Sequence, residues 1–402
     1  MKRSSCWLGL LAVLFLSPAQ ALNLEIRALF RPDPSQPSKN LFVNQTPNSG
    51  YCVINPVECA NNGMFSIEIP TRFHVGRAIV PGEGVGIQAP ANWRRLTVTN
   101  AITGDSETVE VRIIGIGSTY RLYQSAASLV GVTDPLEGHE KLWSSSWVYA
   151  PSPCTYSGVA YYSPETYRFF WKVPVESACT KVAAYRIPAM AFDNLDFAYE
   201  LRTPNPLGMS SGQYTGSLTY TLGPAGDFQM GSTMHPVDTT LTLDFVLDVQ
   251  HTLKVELPPG GNKIVMEPAG GWQRWLESGK KPVEVFREQK FFLSASSPFK
   301  VMLVCHWSSG GPCSMGNGQG GATEFQVGLT VPGGIVGPGN TDGWSGTLMH
   351  NTWLGPFEPA RYIDRRQGVL RFFIKDAMAI DQLLYTGGTH QGSVTIILDS
   401  EV

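Results

Sequence analysis

Apolar residues fall on every second position through much of this chain, which is the period of β-strands. Leu22, Leu24, Ile26, Ala28 and Phe30 share one face of a strand, and the proline-rich stretch Pro32–Pro37 ends it. Phe65, Ile67 and Ile69 form a second strand, stopped by Pro70. Leu96 and Val98, then Val109, Val111 and Ile113, read as a hairpin around Thr103-Gly104-Asp105. Tyr167, Phe169, Trp171 and Val173 line one face of another strand, and so do Phe299, Val301, Leu303 and Cys305, and Leu370, Phe372 and Ile374. The clearest run is Leu241, Leu243, Phe245, Leu247, Val249, Leu253, Val255 and Leu257, broken only by His251. A single strand of that length would run roughly 55 Å at about 3.3 Å per residue. The run is therefore expected to kink near His251 or to be two strands that switch sheets. Helical signals are short, at Trp272–Leu276 and Ala377–Leu384.

The final strand carries Val394, Ile396 and Leu398 on one face. With nothing after it, such a strand is expected to leave an unpaired edge unless a partner supplies the missing neighbour. Gly216-Ser217-Leu218-Thr219-Tyr220-Thr221-Leu222 repeats the wording of Gly392-Ser393-Val394-Thr395-Ile396-Ile397-Leu398, as if two tandem domains closed with the same kind of strand. Gly223–Pro236 is rich in Gly, Pro and Ser. The expected organisation is an N-terminal domain over 22–223, a linker over 224–236 and a C-terminal domain over 237–402. Each half holds about six or seven strands without βαβ alternation, so the fold class expected is all-β, two tandem β-sandwich domains.

Composition agrees with strands and turns: 42 Gly, 29 Pro and 16% charged residues among 402. The net charge of −3 gives no pull toward nucleic acid. Lys2 and Arg3, the apolar Leu8–Leu16 and Ala19-Gln20-Ala21 have the layout of a secretory signal peptide over 1–21, with the mature chain starting at Leu22. No later apolar run approaches the roughly 20 residues that span a bilayer. Cys6 would leave with the signal, so six cysteines would enter an oxidising compartment, where disulfides are the default. Six cysteines allow 15 pairings. Nearness in sequence suggests Cys52–Cys59, Cys154–Cys179 and Cys305–Cys313. The rival, a zinc site, lacks both a CxxC and a His at ligand spacing.

Candidate chemistry is thin. No GxSxG elbow occurs, His139-Glu140 lacks the second His of a zincin, and Gly82–Gly86 mimics a dinucleotide loop with no helix pattern behind it. The expectation is therefore a non-enzyme with no catalytic residues, metal or cofactor. A sandwich enzyme acting on polysaccharide stays as the alternative from another class, since sequence does not place two carboxylates across a cleft.

The alternating strand Gly392–Leu398, the Tyr385–Gly388 turn before it and the alternating run Leu241–Leu257 resemble the subunits of chaperone–usher fimbriae, in the two-domain tip adhesin form. The resemblance is best in the second half. It implies a C-terminal immunoglobulin-like pilin domain lacking its last strand, with Val394, Ile396 and Leu398 zipped against a strand lent by a periplasmic chaperone and later by the next fimbrial subunit. It also implies an outer-membrane usher as partner, export through the periplasm to the cell surface, and a place at the fimbrial tip. A strand beginning at Leu22 leaves no free donor tail, which fits a subunit that accepts a strand and donates none. The ending Glu401-Val402 departs from the family, where an aromatic commonly stands next to the last residue. The N-terminal domain would then bind a host glycan or protein receptor. Sugar sites use aromatic faces with a few fixed polar groups, so the candidates are Trp143, Trp147 and Tyr149, with Trp93, Arg94 and Arg95 as a second patch. A structural subunit that starts fimbrial assembly without binding a receptor is the other reading within the family.

Overall fold

The computed structural model describes residues 22–400; the expected signal peptide, with Cys6, and residues 401–402 lie outside the described residues. The first unit is carried by β1 (Leu22–Phe30), β2 (Phe65–Ile69), β3 (Arg94–Asn100), β4 (Ser106–Leu122), β5 (Thr166–Lys172), β6 (Leu195–Arg202), β7 (Gly212–Thr221) and β8 (Thr240–Val249), with α1 (Pro135–Leu142) on its flank. The second is carried by β9 (Leu253–Glu256), β10 (Val285–Ala295), β11 (Phe299–Cys305), β12 (Ala322–Thr330), β13 (Trp353–Pro359), β14 (Ile363–Ile374) and β15 (Val394–Asp399). Two further helices, α2 (Gly271–Ser278) and α3 (Ala377–Thr386), lie at the two places where helical turns were expected.

β4 is the pivot of the first unit. Its early residues pair with β3, its middle with β6, and its later residues with β5. One hydrogen-bonded network thereby bends around a single core that holds Phe30, Val98, Val111, Trp171, Tyr214 and Leu243. The crossing of β4 and β5 is tight: a Cβ on Gly117 would stand 2.5 Å from the Phe169 carbonyl oxygen, so only glycine fits there. The hairpin around Thr103-Gly104-Asp105 forms as expected, with Thr99 opposite Ser106.

The long alternating run resolves into two strands in different units. β8 lies in the first sheet, antiparallel to β7 and parallel to β1, where Leu22 faces Leu241 and Phe30 faces Val249. β9 then pairs with β10 in the second unit. The break falls at Gln250–Thr252, not in the expected linker 224–236. That stretch belongs to the first unit, since Gln229–Met230 and Met234–Pro236 each add to a sheet there. Its glycines and prolines make turns, and turns inside a domain look the same in sequence as a linker. The strand that carries the repeat Gly216–Leu222 does not end its sheet as β15 does: β7 pairs with β8 along its whole length and with β3 through Tyr214 and Thr215. At the junction His251 joins the units: its Nε2 is 2.8 Å from the Met209 carbonyl oxygen and its Nδ1 is 3.0 Å from Ser296 Oγ.

The second unit is a two-sheet sandwich. One sheet runs β9–β10–β14–β12 and ends on the short strand Cys313–Gly316; the other runs inward from Thr341–Asp342 through Ile335–Gly337, β13 and β11 to β15. Leu293, Val301, Val327 and Phe372 fill the space between them. All three sequence-neighbour disulfides are present: Cys52–Cys59, Cys154–Cys179 and Cys305–Cys313.

Candidate functional site

β15 is held on one side only. It pairs with β11 in antiparallel register, Val394 opposite Cys305, Ile396 opposite Leu303 and Leu398 opposite Val301. Among the described residues no strand pairs with its outer side. Such an edge presents a row of free N–H and C=O groups. Gly392 lets the chain enter the strand close to its neighbours: a Cβ there would stand 3.0 Å from the Ser314 carbonyl oxygen, while Gln391 and Gly316 exchange backbone hydrogen bonds of 2.8 and 3.0 Å.

Beside this edge the sandwich is open. A groove of about 1340 Å³ runs between the sheets, with Val394, Ile396 and Leu398 along one lip and Val255 and Leu257 along the other. Its floor is core: Phe291, Leu293, Val301, Leu329 and Phe372. Val255 and Leu257 are 40% and 47% exposed, unusual for apolar residues that line the inside of a sandwich. α2 lies at the mouth. None of its residues is buried, yet Trp272 and Trp275 line the groove, edge to face at 6.2 Å. Sequence reasoning found the β15 lip by its alternation, and it marked Val255 and Leu257 as part of the run Leu241–Leu257 and Trp272–Leu276 as a helical turn. It did not bring these together, because they meet at a groove that no local period announces.

The receptor candidates scatter. Trp143 and Trp147 are buried in the first core, which corrects their reading as surface rings. Trp147 stacks on Trp171 at 5.1 Å and tilts against Phe169 at 4.6 Å. Lys181 holds the loop that places it, donating to Ser145 Oγ at 2.6 Å and the Ser146 carbonyl oxygen at 2.8 Å. Burial pushes that ammonium down to about 8. Tyr149, two residues on, is 62% exposed and stacks with exposed Tyr156 at 6.1 Å. In β3, Arg95 and Arg94 point to opposite faces, as alternation requires. Arg94 pairs with Asp227 at 2.7 Å, and Arg95 with Glu110 at 2.7 Å. Trp93 lies under two guanidiniums from other strands, Arg112 at 4.7 Å and Arg202 at 4.0 Å from the ring centre. It lines a cleft of about 350 Å³ that none of the other five candidates reaches.

One buried carboxyl stands out among the titratable groups. Asp196 lies 2.9 Å from the Arg168 guanidinium, which also serves Glu68 at 2.7 Å. Burial pushes Asp196 up to about 7, against the pull of Arg168, and its Oδ1 has no hydrogen-bond partner among the described residues. A group whose folded pKa is raised holds its proton where the unfolded chain has lost it. Its contribution is therefore complete below about pH 4 and is lost as pH rises through about 7. Between about pH 5 and pH 8 the loss is on the order of 2–3 kcal/mol at ~1.4 kcal/mol per unit. Asp196→Asn is expected to remove that slope from the pH dependence of the melting temperature; a variant with the wild-type slope would assign it to another group.

No family model matches the chain, and no curated protein matches it in sequence. The chain is similar in structure to tip adhesins of chaperone–usher fimbriae. One is CfaE, the adhesive subunit of the CFA/I fimbria of enterotoxigenic Escherichia coli, at 10% identity over 94% of this chain and 92% of that one, TM-score 0.28. Another comes from the chaperone–tip adhesin complex of CFA/I fimbriae, at 10% identity over 95% and 97%, TM-score 0.28. A third is from the CsuC–CsuE chaperone–tip adhesion subunit pre-assembly complex of the archaic chaperone–usher Csu pili of Acinetobacter baumannii, at 10% identity over 94% and 98%, TM-score 0.23. At such identity and TM-score the likeness transfers no residue role to this chain.

Proposed function

We propose that this chain is a tip adhesin of a chaperone–usher fimbria, exported through the periplasm to the cell surface. In this reading the second unit is an incomplete sandwich. A periplasmic chaperone fills its groove first, and after passage through the outer-membrane usher the next subunit's strand replaces the chaperone's. The first unit faces a host glycan or protein receptor. The observation that carries the reading is the unpaired edge of β15 above an open apolar groove. A strand laid along that edge would satisfy its free backbone groups and set alternate apolar side chains onto Phe291, Leu293 and Val301, which is how β-strand addition combines affinity with specificity. β1 supports the direction of exchange, because all nine of its residues are paired with β8 and it is not free to be lent.

Backbone amide exchange on the full chain tests the proposal. The outward N–H groups of Val394–Leu398 in β15 are expected to exchange freely in the chain alone and to become protected when the chaperone is co-expressed, with β11 protected in both states. Protection of the whole of β15 in the chain alone would refute it. In the first unit, Tyr149→Ala is expected to leave the melting temperature unchanged and to lower binding of the chain to host cells. Unchanged binding would remove the Tyr149–Tyr156 pair from the receptor surface.

A further inference from the structure

The outer face of β3, β4 and β6 carries a built cluster of charge around one indole. Antiparallel register sets Arg112 opposite Glu200, and Glu110 opposite both Arg202 and Arg95. Trp93 precedes Arg95 by two residues and so falls on the same face. The ion pairs are unequal. Glu200 takes both Nε and Nη2 of Arg112, at 2.8 and 2.7 Å. Glu110 is engaged by Arg95 at 2.7 Å and reaches Arg202 only at 3.4 Å. Arg202 is therefore the cation with spare donors. Its side chain is 62% exposed, yet stacking over Trp93 at 4.0 Å holds the guanidinium in place. Trp93 thus orients the arginines and does not offer a free face for a ligand.

Four of these residues, Trp93, Arg112, Glu200 and Arg202, also line the 350 Å³ cleft, together with Phe42 and Phe65. Arg112, Arg202 and Glu200 leave the lining with one net positive charge. Ligand pockets run from roughly 300 to 1,000 Å³, so this one suits a single small ring. An apolar ligand would strip water from Arg202 and Glu200 without replacing it. A dianion such as phosphate would meet the Glu200 carboxylate. A ring with one carboxylate, several hydroxyls and an apolar C–H face matches all three walls. We propose that this cleft binds one acidic sugar residue, its carboxylate on Arg202, a hydroxyl donating to Glu200 and its C–H face on Phe42 and Phe65. The inference deepens, and rests on, the reading of the first unit as the receptor-facing part.

The test uses the full chain with glucuronic acid and N-acetylneuraminic acid as acidic probes, and glucose and N-acetylglucosamine as neutral ones, followed by saturation-transfer NMR titration. The acidic probes are expected to bind roughly ten- to hundredfold more tightly than the neutral ones, the worth of one charge-assisted hydrogen bond. Preference for one acid over the other identifies the source of the carboxylate. Arg202→Gln is expected to erase the preference while the melting temperature stays at the wild-type value. Equal binding of acidic and neutral sugars, no binding of either, or an acidic preference that survives Arg202→Gln overturns the proposal. Strand-peptide uptake by the second unit, read on the same samples, tests the fimbrial reading separately. If uptake is intact and no acidic sugar binds, the cleft proposal falls alone.

Discussion

A peptide with apolar residues at alternate positions, added to the full chain, raises the melting temperature of the second unit by about 5–10 °C at a hundredfold excess over its dissociation constant. A ligand that binds only the folded state contributes about 2.7 kcal/mol at that excess, and a unit of this size shifts by roughly 2–4 °C per kcal/mol. The groove is the reason to expect a binder at all. Val394, Ile396 and Leu398 on one lip and Val255 and Leu257 on the other are apolar side chains with no strand between them among the described residues. A strand laid there would take their surface from water at about 25 cal/mol per Å². Ile396→Asp sharpens the test, since a carboxylate on the lip would have to be buried beneath the incoming strand without a partner. The variant is expected to lose the whole shift while the first unit melts as before. Trp272 and Trp275 supply an optical readout, because a strand entering the groove changes the surroundings of both rings. A wild-type chain that ignores every alternating peptide and already melts as one sharp transition would contradict the incomplete-sandwich reading.

Trp147→Ala is expected to destabilise the first unit by about 3–5 kcal/mol, as large-to-small changes of aromatic core residues do. The ring is fully buried, packed against Trp171, Phe169, Tyr120 and Trp143. The void left by alanine would have rigid rings on several sides and little chance to collapse. Tyr149→Ala, two positions away, is expected to stay within about 0.5 kcal/mol of wild type, because that side chain is mostly in water. Denaturant unfolding of the two variants side by side measures the contrast. A cost below about 1 kcal/mol for Trp147→Ala would mean that the aromatic cluster does not carry the first core.

These two neighbours differ for a reason that lies outside their own loop. Trp147 and Tyr149 sit in one loop, and aromatic density there gives both the same weight. Which ring turns inward depends on Lys181, which anchors the loop from a strand more than thirty residues away. Trp93 has the same history. Its own neighbours, Arg94 and Arg95, do not stack on it; Arg112 and Arg202 do, brought in by β4 and β6.

The alternation of Leu22–Phe30, Phe299–Cys305 and Val394–Leu398 was enough to place strands there, and short loops between neighbouring cysteines were enough to pair them. A strand shows its period in its own residues, and the loops of Cys52–Cys59 and Cys305–Cys313, at separations of 7 and 8, keep their ends close, whereas Cys154–Cys179 spans 25 residues and had only nearness in sequence in its favour. The partition of Leu241–Leu257 between two units, the parallel pairing of β1 with β8, and the open groove beside β15 came only with the tertiary structure. Alternation says that a strand has an inside and an outside, but it is silent on which strand lies next to it. Pairing partners are chosen by contacts between residues far apart in the chain, as where β11 meets β15 and where Arg202 meets Trp93, and both sites proposed for this protein are made of such contacts.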